Sequence, residues 1–138
     1  MQPTFIPWLG YFGLMEFVDI FVFLDNVQFD KRSWQQSNKI KSGLNESKLT
    51  VPVFSKGKKD QLIKDVNIDT SSLFRNKHLK TIKQNYQNSD YFSVFYPMIE
   101  NVYNTSNDNL CDFNTKFIKM IKNYLEIKTQ ILYASKLN

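Results

Sequence analysis

Asp25 and Asn26 follow the most strand-like run of the chain, Ile20-Phe21-Val22-Phe23-Leu24. Open α/β sheets bind ligands at the carboxyl ends of their strands. An aspartate there could act as a base, bind a metal through water, or hold a ribose hydroxyl. Asp-Asn is also turn chemistry, and the plainer role is a turn or cap. Lys31, Arg32, Lys39 and Lys41 come soon after, with Trp34 among them. Such cations can neutralise a nucleotide diphosphate, and an indole can stack on a base or sugar. The plainer role is a solvated basic loop. The chain has no Gly-x-Gly-x-x-Gly or Walker pattern, so a phosphate site would have to use side chains. His78 is the one histidine and would be the natural acid or base near neutral pH, although a lone helical histidine more often packs or faces solvent. Cys111 sits beside the apolar stripe of a helix, as a packing residue does. One His and one Cys argue against a zinc site; no metal is expected, and no particular cofactor is indicated.

These residues need elements to hold them. Residues 2–13 combine two prolines and two glycines with many aromatics, which breaks regular structure yet demands packing. Pro7 suits a turn or a first helical position, and a short helix is expected over about 8–17. Gln2, Trp8 and Tyr11 would then line a pocket over the end of the first strand. That strand, 19–25, is continuously apolar between acids and reads as buried on both faces, as in a parallel sheet. A second strand is expected over 47–54, with Pro52 near an edge or end, and 63–68 suggests a third, shorter one. The second half is helical. Asp69 to Ser72 offers caps for a helix carrying Leu79, Ile82 and Tyr86. A segment from Phe92 to Tyr103 follows helical spacing but contains Pro97, so a kink or two short helices are expected. The last helix, capped by Asn107-Asp108, carries Leu110, Phe113, Phe117, Ile118, Ile121 and Leu125 on one stripe. Asn114 lies on that apolar face and needs partners. Thr129 to Ala134 closes the chain as a strand. This order predicts an α/β fold: a small, partly parallel sheet with about four helices.

The composition fits one domain over residues 1–138. Hydrophobic residues make up 42% and aromatics 15%, including 12 Phe, which excludes a disordered chain. A single cysteine excludes an internal disulfide and points to a reducing, cytoplasmic setting. No apolar run approaches the roughly 20 residues of a membrane span. The net charge is +5, and residues 31–64 hold nine of the 18 Lys and Arg with only Glu46 and Asp60 as acids. Phosphate-bearing partners suit that segment. Nothing in it matches a nucleic-acid motif, so a nucleic-acid partner is not expected.

Gln2-Pro3 followed by Pro7-Trp8-Leu9-Gly10-Tyr11-Phe12 resembles the opening of the WbqC-like family. The likeness continues through Asp19 to Asp25, Val27-Gln28-Phe29, Lys31, Trp34, Asn38 to Lys41, Leu49 to Val53, Lys77-His78, Asn114 and Leu125 to Thr129. Members of the family are longer. They open with a short apolar strand before the Gln-Pro motif and continue for about a hundred residues after the position of Ser135, so an N-terminal part of the family's domain is expected. The family is associated with O-antigen and other surface-polysaccharide gene clusters. The resemblance implies acyl or aminoacyl (glycine) transfer to a nucleotide-linked amino sugar, hence a small-molecule partner: a nucleotide sugar or an acyl donor. The implied site takes Asp25 and His78 as catalytic candidates. Asn26, Lys31, Arg32, Trp34, Asn38 and Lys39 bind substrate, and Gln2, Trp8 and Tyr11 form the walls. The rival reading is a non-catalytic binding module, either an accessory subunit of polysaccharide assembly or a nucleic-acid binder.

Overall fold

A computed structural model describes residues 1–137. In chain order it contains α1 (Leu9–Glu16), β1 (Ile20–Phe23), β2 (Ser37–Ser42), β3 (Asn45–Thr50), α2 (Phe74–Tyr86), α3 (Phe92–Thr105), α4 (Leu110–Tyr124) and β4 (Gln130–Tyr133), with single 3-10 turns at Ile63–Asp65 and Ala134–Lys136. The fold is α/β with four helices. Its strands form two separate two-stranded sheets. β1 and β4 pair in parallel from Ile20↔Gln130 to Phe23↔Tyr133, and β2 and β3 form an antiparallel hairpin from Ser37↔Thr50 to Ser42↔Asn45.

β1 packs Phe21 and Phe23 inward, while Ile20 is exposed and Val22 half-buried. The strand is therefore covered fully on one face only, where the unbroken apolar run suggested two. The hairpin also differs from expectation. β3 lies a few residues earlier than predicted, and its partner β2, Ser-Asn-Lys-Ile-Lys-Ser, had no hydrophobic alternation to announce it. Its turn places Gly43 at φ +60°, the first central position that a type II′ turn reserves for glycine. Residues 63–68 form a 3-10 turn and an isolated bridge, Val53↔Ile68, instead of a strand.

Asp69 does not cap α2. Its carboxylate accepts from Ser71 N–H and Oγ, closing a local turn before the helix. α3 runs unbroken through Pro97. Proline in the second turn removes one hydrogen bond, and the Ser93 carbonyl left free belongs to an exposed residue that water can serve. α4 is capped by Asn109, which accepts from Asp112 N–H at 3.0 Å, one residue beyond the expected pair. Arg75 links α2 to the end of α3. Its guanidinium lies 5.5 Å from the ring centres of Phe74 and Phe113 and donates to the carbonyls of Tyr103 and Ser106.

α4 stands between two cores. Phe113 and Phe117 join Phe5, Phe74, Tyr103 and the hairpin's Leu49 in the larger one. Ile118, on the neighbouring stripe, joins Tyr11, Phe12, Met15, Phe21 and Phe23 in the smaller one. Thr129 Oγ1 donates to the carbonyls of Met15 and Val18, fastening the start of β4 to the end of α1. No helix among the described residues is long and apolar enough to cross a membrane.

Candidate functional site

The N-terminal segment reaches the site because its own sequence cannot form a ladder. Phe5 is fully buried and pulls the segment onto the larger core. Its N–H donates to the Trp34 carbonyl at 2.9 Å. Ile6 follows at φ +45°, an uncomfortable value for a β-branched residue. Asn38 holds it there: its Nδ2 donates to the carbonyls of Phe5 and Ile6 at 3.3 and 2.6 Å. Asn38 Oδ1 accepts from Lys39 N–H at 2.8 Å, so this amide is committed to the scaffold. From Ile6 the chain turns through Pro7 into α1 and projects Trp8 outward. The Trp8 ring folds over Gly10 so closely that a Cβ there would lie 1.8 Å from it.

The opposite wall is the loop 30–36, which has no regular structure and is stapled by its own side chains. Gln35 Oε1 accepts from Asp30 N–H, and Gln36 Oε1 accepts from Arg32 N–H. Ser33 Oγ donates to the Asp30 carbonyl. Gln36 Nε2 also reaches the Val51 carbonyl at 3.4 Å. Arg32 takes a left-handed φ of +64°. Gln35 and Gln36 are both buried. Below them, Asn114 Nδ2 donates to the carbonyls of Pro3 and Gln35 at 3.2 and 2.7 Å, tying α4 to both walls.

Two cavities adjoin here, one between the walls and one between the loop and the β2–β3 hairpin. One, of about 690 Å³, is lined by Gln2, Trp8, Tyr11, Trp34 and Asn38 with Thr4, Pro7 and Leu24. The other, of about 270 Å³, is lined by Arg32, Trp34, Asn38, Lys39 and Lys48 with Ser33 and Ser37. Trp34 and Asn38 belong to both. The first offers two largely exposed indoles, the second three cations. Lys39 and Lys48 stand directly opposite each other across the hairpin. Lys39 pairs with the exposed Glu46, while among the described residues Arg32 and Lys48 make no ion pair. Facing like charges on a hairpin is unfavourable unless an anion joins them.

Seven expected site residues thus meet: Gln2, Trp8, Tyr11, Arg32, Trp34, Asn38 and Lys39. Four do not. Lys31 lies at a separate depression with Lys56 and Lys58, and Asn26 is exposed outside both cavities. Asp25 ends β1 as expected, but its carboxylate turns inward and is 3% exposed. It accepts from Ser135 N–H at 2.9 Å and Ser135 Oγ at 2.5 Å, clamping the turn after β4. His78 is buried among Phe5, Phe74 and Tyr103. Its Nδ1 lies 2.9 Å from Tyr103 Oη, and burial lowers its pKa to about 4, against a smaller raising effect of the Thr50 backbone. Its ring therefore packs in the core as the neutral form at neutral pH. Neither Asp25 nor His78 lines either cavity, and both side chains are engaged within the fold.

Burial raises the pKa values of Tyr11 and Cys111, the latter to about 12, so neither ionises near neutrality. Tyr11 Oη donates to the Gln2 carbonyl at 3.1 Å. Sequence reasoning missed Lys48, Gln35, Gln36 and Ser33. Lys48 could have been found from its facing register once β2 was known, but buried loop glutamines carry no periodic signal.

The WbqC-like protein family matches residues 2–138 of the chain. The uncharacterized protein Rv1507c of Mycobacterium tuberculosis (strain ATCC 25618 / H37Rv) is 33% identical over 132 residues, covering 95% of this chain. The chain spans 57% of that protein's length. No solved structure matches.

Proposed function

The chain belongs to the WbqC-like protein family, and on that footing we propose that it binds a nucleotide-linked amino sugar in surface-polysaccharide biosynthesis and serves acyl or aminoacyl transfer to that sugar. The observation that carries the binding half is the shared wall of Trp34 and Asn38 between an aromatic cavity and a three-cation cavity. A sugar nucleotide has the matching halves. Its diphosphate would lie against Arg32, Lys39 and Lys48, where it relieves the repulsion across the hairpin. Its base or sugar would lie against Trp8 and Trp34, whose faces stack on flat or CH-rich rings. Among the described residues no carboxylate or imidazole lines either cavity, so this reading assigns these side chains to holding the ligand rather than moving its protons.

The chain carries an optical reporter of this site. It has two tryptophans, and both are at the cavity. UDP-N-acetylglucosamine should change their emission saturably, and UMP should do so more weakly. The response should fall by about tenfold or more in affinity in the double variant R32A/K48A, because two charge-assisted contacts are lost. No response to any sugar nucleotide in the folded protein would overturn the reading. A response to single-stranded oligonucleotides of any sequence, collapsing as salt rises, would replace it with the nucleic-acid binding module.

A further inference from the structure

A chain of amide hydrogen bonds runs from the loop into the aromatic cavity, and its direction is fixed at one end. The Asp30 backbone N–H can only donate, and it points at Gln35 at 3.0 Å. The Gln35 atom it meets must therefore be Oε1, which turns Nε2 the other way. That nitrogen meets the Gln2 side chain at 2.9 Å, and since it donates, the Gln2 atom facing it must be Oε1. The amide orientation at Gln2, usually a free choice, is thus dictated by a backbone group 28 residues away in sequence. Gln35 is 3% exposed, and its backbone carbonyl is held by Asn114 at 2.7 Å, which keeps the residue in the relay. Gln2 is exposed, lines the aromatic cavity, and has its backbone carbonyl held by Tyr11. With Oε1 turned toward Gln35, both Nε2 hydrogens of the Gln2 amide are free for a ligand, against one remaining lone pair on Oε1.

We infer that Gln35 is a positioning residue that turns the Gln2 amide so that its N–H groups are the ones left free, which makes the aromatic cavity favour a ligand group bearing a carbonyl oxygen over the same group bearing an amine. This rests on the ligand class proposed above and narrows it. Two sources of such an oxygen exist in a sugar nucleotide: the N-acyl group of the sugar and a keto group of the base. An amine at that point would set donor against donor and gain no hydrogen bond from the Gln2 N–H groups.

The orientation can be tested without a ligand. In solution NMR, the Gln2 side-chain N–H signals should exchange rapidly with water and those of Gln35 slowly. In Gln35→Glu the carboxylate still accepts from Asp30 N–H but can no longer donate, so Gln2 must turn over and give its N–H groups to Glu. Its side-chain protons should then exchange about tenfold more slowly. Protected Gln2 protons in the native chain, or no change in a folded Q35E variant at a pH where the introduced carboxyl is shown by titration to be ionised, would overturn the relay. Gln2→Glu, at an exposed position, keeps the fold available should Q35E fail to fold. It should leave the Gln35 protons protected, and their loss of protection would show that the wild-type contact is not the one described.

Ligand selection is then read by tryptophan emission. UDP-N-acetylglucosamine compared with UDP-glucosamine reports on the sugar, and UDP compared with CDP reports on the base. Tighter binding of the carbonyl partner in one pair, by about tenfold, with the preference lost or reversed in Q35E or Q2E, is the expected result. Equal binding within both pairs overturns the selectivity. Absence of all binding rejects the ligand class, while the exchange data still decide the relay.

Discussion

Gly10 is a single residue with two opposing consequences. A glycine inside a helix costs about 0.5–1 kcal/mol relative to alanine, so Gly10→Ala should hold or raise the thermal midpoint. The same methyl group would enter the Trp8 ring, and Trp8 is exposed enough to move aside. Ligand affinity and Trp8 emission should therefore change while stability does not fall; unchanged emission would show that the ring does not rest on Gly10. His78 makes a prediction in pH. Its pKa is near 6.5 unfolded and about 4 folded, so the unfolded chain binds the extra proton between those values. The stability available above pH 6.5 is then lost as pH falls toward 4, by up to about 3 kcal/mol at 1.36 kcal/mol per unit. His78→Phe should flatten that part of a plot of thermal midpoint against pH. An identical slope would place the acid sensitivity elsewhere. At this scale the sequence made the aromatic and basic members of the site readable, since their types name their use. It could not tell that the one histidine was sealed in, because burial depends on residues as distant as Phe5 and Tyr103.

The β2–β3 hairpin carries the cations as an element. The direct pairing of Lys39 with Lys48 implies that Lys48→Gln stabilises the unliganded protein by about 0.2–1 kcal/mol in dilute buffer. The gain should vanish in high salt as the repulsion is screened, and urea melts at the two salt concentrations would measure it. A destabilised K48Q variant would mean that the Lys48 stem is needed for packing. The hairpin also shows why some elements were legible and others were not. α4 announced itself through a long apolar stripe, and β1 through an unbroken β-branched and aromatic run. β2 has Ile40 as its only strongly apolar residue; its pairing with β3 and the glycine turn define it, and neither leaves a periodic trace. The loop 30–36 is harder still, because it is held by glutamine and serine side chains whose partners, in the loop and at Gln2 and Val51, leave no periodic trace.

For the whole molecule, the closing contact joins the end of β1 to the turn after β4. Asp25→Ala removes the acceptor for Ser135 N–H and Oγ. Hydrogen bonds to a charged group contribute about 1.5–3 kcal/mol each, with incomplete additivity, so a loss of about 2–4 kcal/mol in urea unfolding is expected. A cost below about 0.5 kcal/mol would mean that the clamp is dispensable. The α/β class was legible because the order of strands and helices is written in local patterns. The division into two small sheets was not, because nothing in either strand of a pair records which other strand it will meet.

The parallel partnership of β1 and β4 also sets a timetable. A ribosome delivers residues 20–23 more than a hundred positions before their partner. Until residues 130–135 emerge, Phe21 and Phe23 have no strand to lie beside, and Asp25 waits with its carboxylate unclaimed. Closing so long a loop costs chain entropy before any contact rewards it, which slows folding. The nascent protein should therefore pass through an interval in which Phe21 and Phe23 are open to capture by chaperones, and the emergence of residues 130–135 would end that exposure.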